Sequence, residues 1–301
     1  MTNFEIEAFL AIAKEKNITA AAAKLYINQS SLSLRLKTLE RELGCSLFIR
    51  NRGGHEVVLT PQGEKFLAIA LQHQSIIAQM LAVGREKKKL RVAAVNSINS
   101  TILPHVCELF LQDEPECELE VQDFDRTVEV CNYLEHNQLD IGFVGGNPAG
   151  RKVKVKPLFK EKIVLLTAKN STFPTSVSRE CLDTKKEVYI PWSVDFMKWH
   201  NEMFGDQDAP ALLVSSLAQL RHFIKRQDMW TLVPVSTYYE FLSSHVEVEA
   251  RDTLFEIPHR QVSMLLPAQG SYSQEIRRFY KRFIEYCEKN YGENDDIIFF
   301  K

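Results

Sequence analysis

No apolar run in this chain approaches the roughly 20 residues needed to cross a bilayer; the stretch 163–168 has the length of a buried strand. Met1-Thr2-Asn3-Phe4-Glu5 shows no basic segment leading into an apolar one, so a secretory signal is not expected. Six cysteines stand at 45, 107, 117, 131, 181 and 287 without a C-x-x-C pair. They read as reduced core thiols of a cytoplasmic protein, with one redox-sensing thiol as the alternative. H-E-x-x-H, P-loop, G-x-G-x-x-G and G-x-S-x-G sequences are missing, and the eight histidines lack ligand spacing. The expectation is no catalytic residue, no metal ligand, no cofactor and no membrane partner.

Aspartate is also missing from residues 1–91, which hold 14 Lys and Arg against 8 Glu, a charge of +6. The remainder holds 23 basic and 31 acidic residues, a charge of −8, so the overall −2 averages two unlike parts. A basic module joined to an acidic one suggests a polyanionic partner for the first, such as nucleic acid. With 45% hydrophobic and 25% charged residues, the 301-residue chain is globular and long enough for one large domain or two to three ordinary ones.

Residues 4–16 read as a helix with Ile6, Phe9, Leu10 and Ala13 on one face. Thr19 is the expected N-cap of a short second helix over 20–25. Tyr26-Ile27-Asn28 connects to a third helix over 29–43. There Leu32, Leu36, Leu39 and Leu43 turn inward, and Gly44 stops the helix. The outward face then carries Gln29, Ser30, Ser31, Ser33, Leu34, Arg35, Lys37 and Thr38. This is the form of a helix-turn-helix, whose second helix presents side chains to base edges in the major groove of double-stranded DNA. Hydroxyls suit phosphates or bases, and arginine suits guanine. Any three-helix packing that exposes Ser and Arg would look similar. Two short β-like runs, 46–49 and 56–59, flank a glycine-rich tip containing Arg50 and Arg52. Beside a helix-turn-helix such a hairpin is a wing; alone it is a solvated turn.

Thr60-Pro61 is a cap and first-turn pair that opens a helix running to about residue 88. Phe66, Ala70, His73, Ile77 and Met80 form one apolar row, and Ile69, Ile76 and Val83 a second. A stripe this wide suggests a partner helix, either from a symmetry mate or from the same chain. From residue 90 on, strand-like runs (90–95, 119–124, 140–144, 163–167, 188–190, 212–214, 229–233, 262–266) alternate with helical patterns such as 126–136, 196–204, 217–225 and 273–289. That alternation predicts α/β architecture with mainly parallel strands. Asn96-Ser97-Ile98-Asn99-Ser100-Thr101, at the end of the first strand, is either an anion site or a simple helix cap. The apolar 297–300 should pack on a subdomain or on another subunit.

Phe9-Leu10-Ala11-Ile12-Ala13, Ala20-Ala21-Ala22-Ala23-Lys24-Leu25, Asn28-Gln29-Ser30-Ser31-Leu32-Ser33, Leu39-Glu40-Arg41-Glu42-Leu43-Gly44, Leu47-Phe48 and Leu59-Thr60-Pro61-Gln62-Gly63-Glu64 together resemble the N-terminus of LysR-type transcriptional regulators in order and spacing. A looser likeness continues through Leu139-Asp140-Ile141-Gly142-Phe143 and Leu232-Val233-Pro234 to about residue 285. The family usually has Pro where this chain has Ser30, often a basic residue where it has Leu34, and Gly-x-Gly near residue 228.

The resemblance implies a winged helix-turn-helix over 1–59 and a linker and dimerisation helix over 60–89. It implies a periplasmic-binding-protein-like effector domain of two α/β subdomains over 90–301. With crossings near 160–162 and 267–268, subdomain I takes 90–160 and 268–301, and subdomain II takes 161–267. By position, the cleft would be lined by Ser97, Asn99, Ser100, Thr101, Phe124, Asp125, Gly145, Pro191, Trp192, Ser193 and Ser215. Phe124 and Trp192 are equally readable as core aromatics. A carboxylate such as Asp125 beside an anion site suggests an effector with both charges, an amino acid, with a small carboxylate as the alternative. The implied function is a ligand-responsive, sequence-specific DNA-binding regulator acting as a homodimer or homotetramer, with RNA polymerase as a further partner. An enzyme or transport-type binding protein and an architectural DNA binder are the rival readings.

Overall fold

A computed structural model of the chain describes residues 1–50, 57–82, 88–148, 150–205, 210–268, 272–292 and 296–300. They fall into two compact units, 1–85 and 86–301. The tip residues from Asn51 to Glu56, Arg52 among them, and the junction at 83–87, with Val83, lie outside the described residues.

The N-terminal unit is three helices, a hairpin and a long helix. Helix α1 (Asn3–Glu15) opens on a capping box in which the Thr2 backbone N–H donates to Glu5 at 2.6 Å. Helix α2 (Ile18–Lys24) is capped by Asn17, whose Oδ1 accepts from the Ala20 N–H. The cap is therefore Asn17 and not Thr19, because Ile18 already turns into the core. Helix α3 (Gln29–Leu43) is capped by Asn28 and stopped by Gly44 at φ +67°. Leu32, Leu36 and Leu39 are buried against Ile6, Phe9 and Ile12. Leu43, expected inward, is 39% exposed, since the chain leaves the bundle at the next residue. The hairpin pairs β1 (Phe48–Arg50) with β2 (Val57–Leu59), Ile49 opposite Val58. Phe9 is the hub of this core, 5.2 Å from the Phe48 ring and edge-on to Phe66 at 4.9 Å.

Helix α4 (Pro61–Ala82) starts where expected. Thr60 Oγ1 accepts from the Gly63 N–H at 2.9 Å and donates to the Ser46 carbonyl at 2.8 Å, tying the helix to the hairpin. Its Phe66, Leu67 and Ala70 join the core, while Ile69, Ile76 and Met80 are exposed.

The C-terminal unit has two α/β subdomains. Subdomain I is a six-stranded sheet in the order β14-β6-β13-β5-β3-β4. Its strands are β3 (Lys89–Val95), β4 (Glu118–Phe124), β5 (Ile141–Gly145), β6 (Val153–Glu161), β13 (Arg260–Pro267) and β14 (Ile297–Phe299). Helices α5 (Asn96–Thr101), α6 (Leu103–Asp113), α7 (Thr127–Glu135) and α11 (Gln274–Tyr291) contribute to its core. There Phe143 stacks on Phe283 at 4.1 Å and Phe110 meets Phe279 edge-on. Subdomain II carries the sheet β11-β7-β12-β8, formed by β11 (Trp230–Pro234), β7 (Ile163–Ala168), β12 (Val248–Thr253) and β8 (Ser176–Val177). Beside it lie the parallel pair β9 (Val188–Tyr189) and β10 (Leu212–Leu213) and helices α8 (Val194–Phe204), α9 (Leu217–Phe223) and α10 (Val235–Ser243).

Two expectations are corrected here. The chain crosses at Lys162, between β6 and β7, but it returns between β12 and β13, near 254–259, not near 267–268. β13 pairs with both β5 and β6 and so belongs to subdomain I. The strands are not mainly parallel either. β3, β4 and β5 are parallel, but the strands that re-enter at each crossing run against their neighbours. The apolar C-terminal run forms β14, antiparallel to β6. Ile297 is buried and Phe299 lies over Phe159 at 5.6 Å, while Ile298 faces out.

Alanine normally exceeds glycine inside a helix by about 1 kcal/mol. At Gly63 a Cβ would clash with the Leu47 carbonyl oxygen and approach Leu59 Cδ2 to 3.0 Å. Gly63→Ala should therefore destabilise the N-terminal unit by roughly 1–3 kcal/mol. Amide exchange in α1 and α3 should accelerate; slower exchange, the ordinary result in a helix, would contradict this packing.

Candidate functional site

The N-terminal unit presents one polar, basic face. Along α3, Gln29, Ser30, Leu34 and Lys37 are exposed, and Ser31, Ser33 and Arg35 are half-buried, on the side away from Leu32, Leu36 and Leu39. The helix start is organised by Asn28, whose Oδ1 accepts from the Ser31 N–H and the Ser30 hydroxyl, both at 2.7 Å. The Arg35 guanidinium lies over the Phe4 ring, 5.1 Å from its centroid. Phe4 was no candidate on sequence grounds, because its place at the start of α1 is distant in the chain. Arg50 ends β1. Tyr26, just before the third helix, has φ +54° and is 96% exposed.

The C-terminal unit holds a cleft of about 970 Å³ between its subdomains. One wall is built at the ends of β3, β4 and β5, by Asn96, Ser97, Asp125, Arg126, Thr127 and Gly145 through Pro148. The other comes from the ends of β9 and β10, by Ile190, Pro191, Trp192, Ser193, Asp195, Leu213, Ser215 and Gln219. Ligands bind at the carboxyl ends of strands in open α/β sheets, and both walls are of this kind. Apolar side chains, among them Val128, Ile190, Val194 and Met197, make up much of the lining.

Of the residues expected there, Ser97, Asp125, Gly145, Pro191, Trp192, Ser193 and Ser215 line the cleft. Asn99, Ser100, Thr101 and Phe124 do not line it. Within the single turn and a half of α5, the chain carries Ser100 out to solvent. Thr101 turns into the core, its hydroxyl donating to the Ser97 carbonyl at 2.7 Å. Phe124 packs on Tyr133 at 4.8 Å. Trp192 is both things that its sequence allowed: buried, with Nε1 donating to the Leu232 carbonyl at 2.6 Å, yet part of the cleft wall.

Beneath the cleft lies a charged pair that the sequence reading missed. Arg260, the first residue of β13, and Glu161, the last of β6, are 1% and 0% exposed in their side chains. Arg260 Nε donates to Glu161 Oε1 at 2.9 Å and Nη1 donates to Ser97 Oγ at 2.7 Å. Glu161 Oε2 accepts from the Ser236 N–H at the start of α10, at 3.2 Å. Both crossings, the cleft wall and subdomain II thus meet in one network. Asn96 adds a second link between the subdomains, accepting from the Leu217 N–H at 3.1 Å while donating to Asp123 at 2.8 Å.

Among the described residues, no helix is long and apolar enough to cross a membrane. None of the described His, Cys, Asp and Glu form a group that could hold a metal ion.

Comparison with known proteins agrees with this architecture. A model described as bacterial regulatory helix-turn-helix protein, lysR family, matches residues 5–64. A second, described as LysR substrate binding domain, matches residues 84–288. The chain belongs to the LysR family of transcriptional regulators. A probable RuBisCO transcriptional regulator of Thalassiosira pseudonana is 32% identical over 193 residues, which span 62% of this chain and 61% of that protein. The match thus spans about three fifths of that relative's length. A full-length OxyR variant from Pseudomonas aeruginosa superposes with a TM-score of 0.63 at 23% identity, covering 96% of this chain and 95% of that one. Full-length CbnR complexed with its target DNA gives 0.64 at 17% identity, covering 95% and 100%. At these identities the two structures establish the fold.

Removing one partner of a buried ion pair typically costs about 3–5 kcal/mol, because the other charge is left uncompensated. Glu161→Leu and Arg260→Met should each destabilise the C-terminal unit by about that much, and the double variant by far less than the sum. Urea unfolding of the three variants measures this. Additive losses would show that the two charges do not depend on each other.

Proposed function

We propose that the chain is a ligand-responsive, sequence-specific DNA-binding transcriptional regulator, homo-oligomeric through α4, with a small-molecule effector in the cleft between its C-terminal subdomains. The observation that carries the reading is the outward face of α3, where hydroxyls, Arg35 and Lys37 stand together on a helix whose opposite side is packed through Leu32, Leu36 and Leu39. In this reading Ser30, Ser31, Ser33 and Arg35 meet base edges, Lys37, Arg50 and Arg52 mainly meet phosphates, and Gln29 and Leu34 complete the DNA-facing surface. The likeness to CbnR, solved with its target DNA, supports the docking mode. Exposed Ile69, Ile76 and Met80 support a second copy of α4 as the partner of that helix.

The effector is an amino acid or a small carboxylate. Asp125 and Arg126 stand side by side on one wall, so a zwitterion finds both of its counter-charges there, which favours the amino acid. Effector control requires unequal affinity for two states of the C-terminal unit, and the two crossings supply the pivot between them.

A gel-shift on the DNA upstream of the chain's own coding sequence tests the first part. Binding should weaken roughly a thousandfold between about 50 mM and about 200 mM salt. Arg35→Ala should cost about tenfold to a hundredfold on the specific site. Binding indifferent to both sequence and Arg35 would favour an architectural role, and no binding at any salt would end the DNA reading. Titration calorimetry with an amino-acid panel tests the second part. Asp125→Ala should abolish discrimination between amino acids and their deaminated acids; retained discrimination would remove Asp125 from recognition.

A further inference from the structure

The crest of α3, directly opposite its buried stripe, is formed by Ser30, Leu34 and Lys37, with Ser33 and Arg35 on its flanks. Every one of these but Leu34 carries a hydroxyl or a charge. Leu34 stands 66% exposed in the middle of them. A single exposed leucine is ordinary on a protein surface, but this leucine leads the face that the proposed function turns toward DNA.

Its neighbours do not displace it from that position. The Ser30 hydroxyl is bound to Asn28 Oδ1 at 2.7 Å, part of the helix cap. The Arg35 guanidinium is drawn aside onto the Phe4 ring. Between them stands a branched hydrocarbon without donor or acceptor. The base edges of the major groove are hydrogen-bonding groups with one exception, the C5-methyl of thymine. Seating Leu34 on a guanine, adenine or cytosine edge would strip water from N7, O6 or an amino group and return nothing, a costly exchange. On a thymine methyl, the same contact buries apolar surface on both sides.

We propose that Leu34 is a specificity residue that reads a thymine methyl in each half-site, with Arg35 braced by Phe4 to read the adjoining step. The proposal rests on the DNA-binding reading above. The probe is duplex DNA selected from a random library by the full chain and then resynthesised with deoxyuridine in place of each thymine in turn, a change that removes only the methyl. At one thymine per half-site, binding should weaken about fourfold, the worth of one buried methyl. Leu34→Ala should bind the thymine and uracil duplexes alike, and selection by Leu34→Arg should replace that thymine by guanine. Selected duplexes indifferent to uracil at every position, or a uracil effect that persists in Leu34→Ala, would overturn the proposal and leave the DNA reading standing. Failure of the chain to enrich any duplex would overturn both.

Discussion

The ion pair between Arg260 and Glu161 is the constraint around which the C-terminal unit is arranged. Two charges with side chains at most 1% exposed are expensive to bury and persist only when each is satisfied. Their partners come from several elements. Glu161 closes the strand that leaves subdomain I, Arg260 opens the strand that returns to it, and Ser97 and the Ser236 N–H each add one bond, while Arg260 Nη2 meets Glu161 Oε1 at 2.7 Å as an ion pair. The network therefore fixes where the chain may cross between sheets. It also fixes the position of the first cleft residue, since Ser97 is oriented by the guanidinium below it. Close packing adds to this. A Cβ at Gly145 would stand 3.1 Å from the Trp192 carbonyl oxygen, so the two walls come close at this position. The guanidinium also lies 5.8 Å from the Trp192 ring centroid, so the aromatic wall and the ionic floor brace each other.

The N-terminal unit obeys a simpler rule. It is small, and its apolar core gathers on Phe9, so its precision comes from capping groups. Asn17, Asn28 and Thr60 each fix the start of a helix by accepting from a backbone N–H. Glu40 performs the same task for the hairpin, taking the Leu47 N–H at 2.7 Å. Thr60 has the widest reach, because the hydroxyl that caps α4 also holds the Ser46 carbonyl. The entry of the long helix is thereby coupled to the base of the wing.

What was legible in the sequence was local. The leucine spacing of α3 as far as Leu39, the Gly44 stop and the Thr60 cap are short-range physics, and these appear in the structure; Leu43 alone of the four leucines does not turn inward. The family resemblance placed Ser97, Asp125, Gly145, Pro191, Trp192, Ser193 and Ser215 on the cleft, where the structure has them. It failed at Asn99, Ser100 and Thr101, because a helix rotates successive side chains by about 100° and only its first turn faces the strand end. What escaped was long-range pairing. The apolar run 262–266 would suit either sheet, and only its partners β5 and β6 assign it to subdomain I. β12, with Glu249, Arg251 and Asp252 in six residues, lacked the apolar signal of a strand. β6 alternates lysines at 154 and 156 with valines, a pattern visible only once its one-sided burial is known. Arg260 and Glu161 are 99 residues apart, and nothing local marks either as buried.

The last strand has a mechanical meaning. Just before β14, Asp296 accepts from the Lys162 Nζ at 2.9 Å and from the Tyr239 hydroxyl at 2.7 Å, while its carbonyl accepts from the Lys162 N–H at 2.9 Å. Those salt-bridge and hydrogen-bond partners hold the Asp296 carboxyl below its ordinary range, Lys162 foremost. Lys162 is the single residue between β6 and β7, and Tyr239 lies on α10. The tail thus works as a clasp: Asp296 holds the chain at the point where it leaves the first sheet and, through Tyr239, fastens helix α10 to that same point.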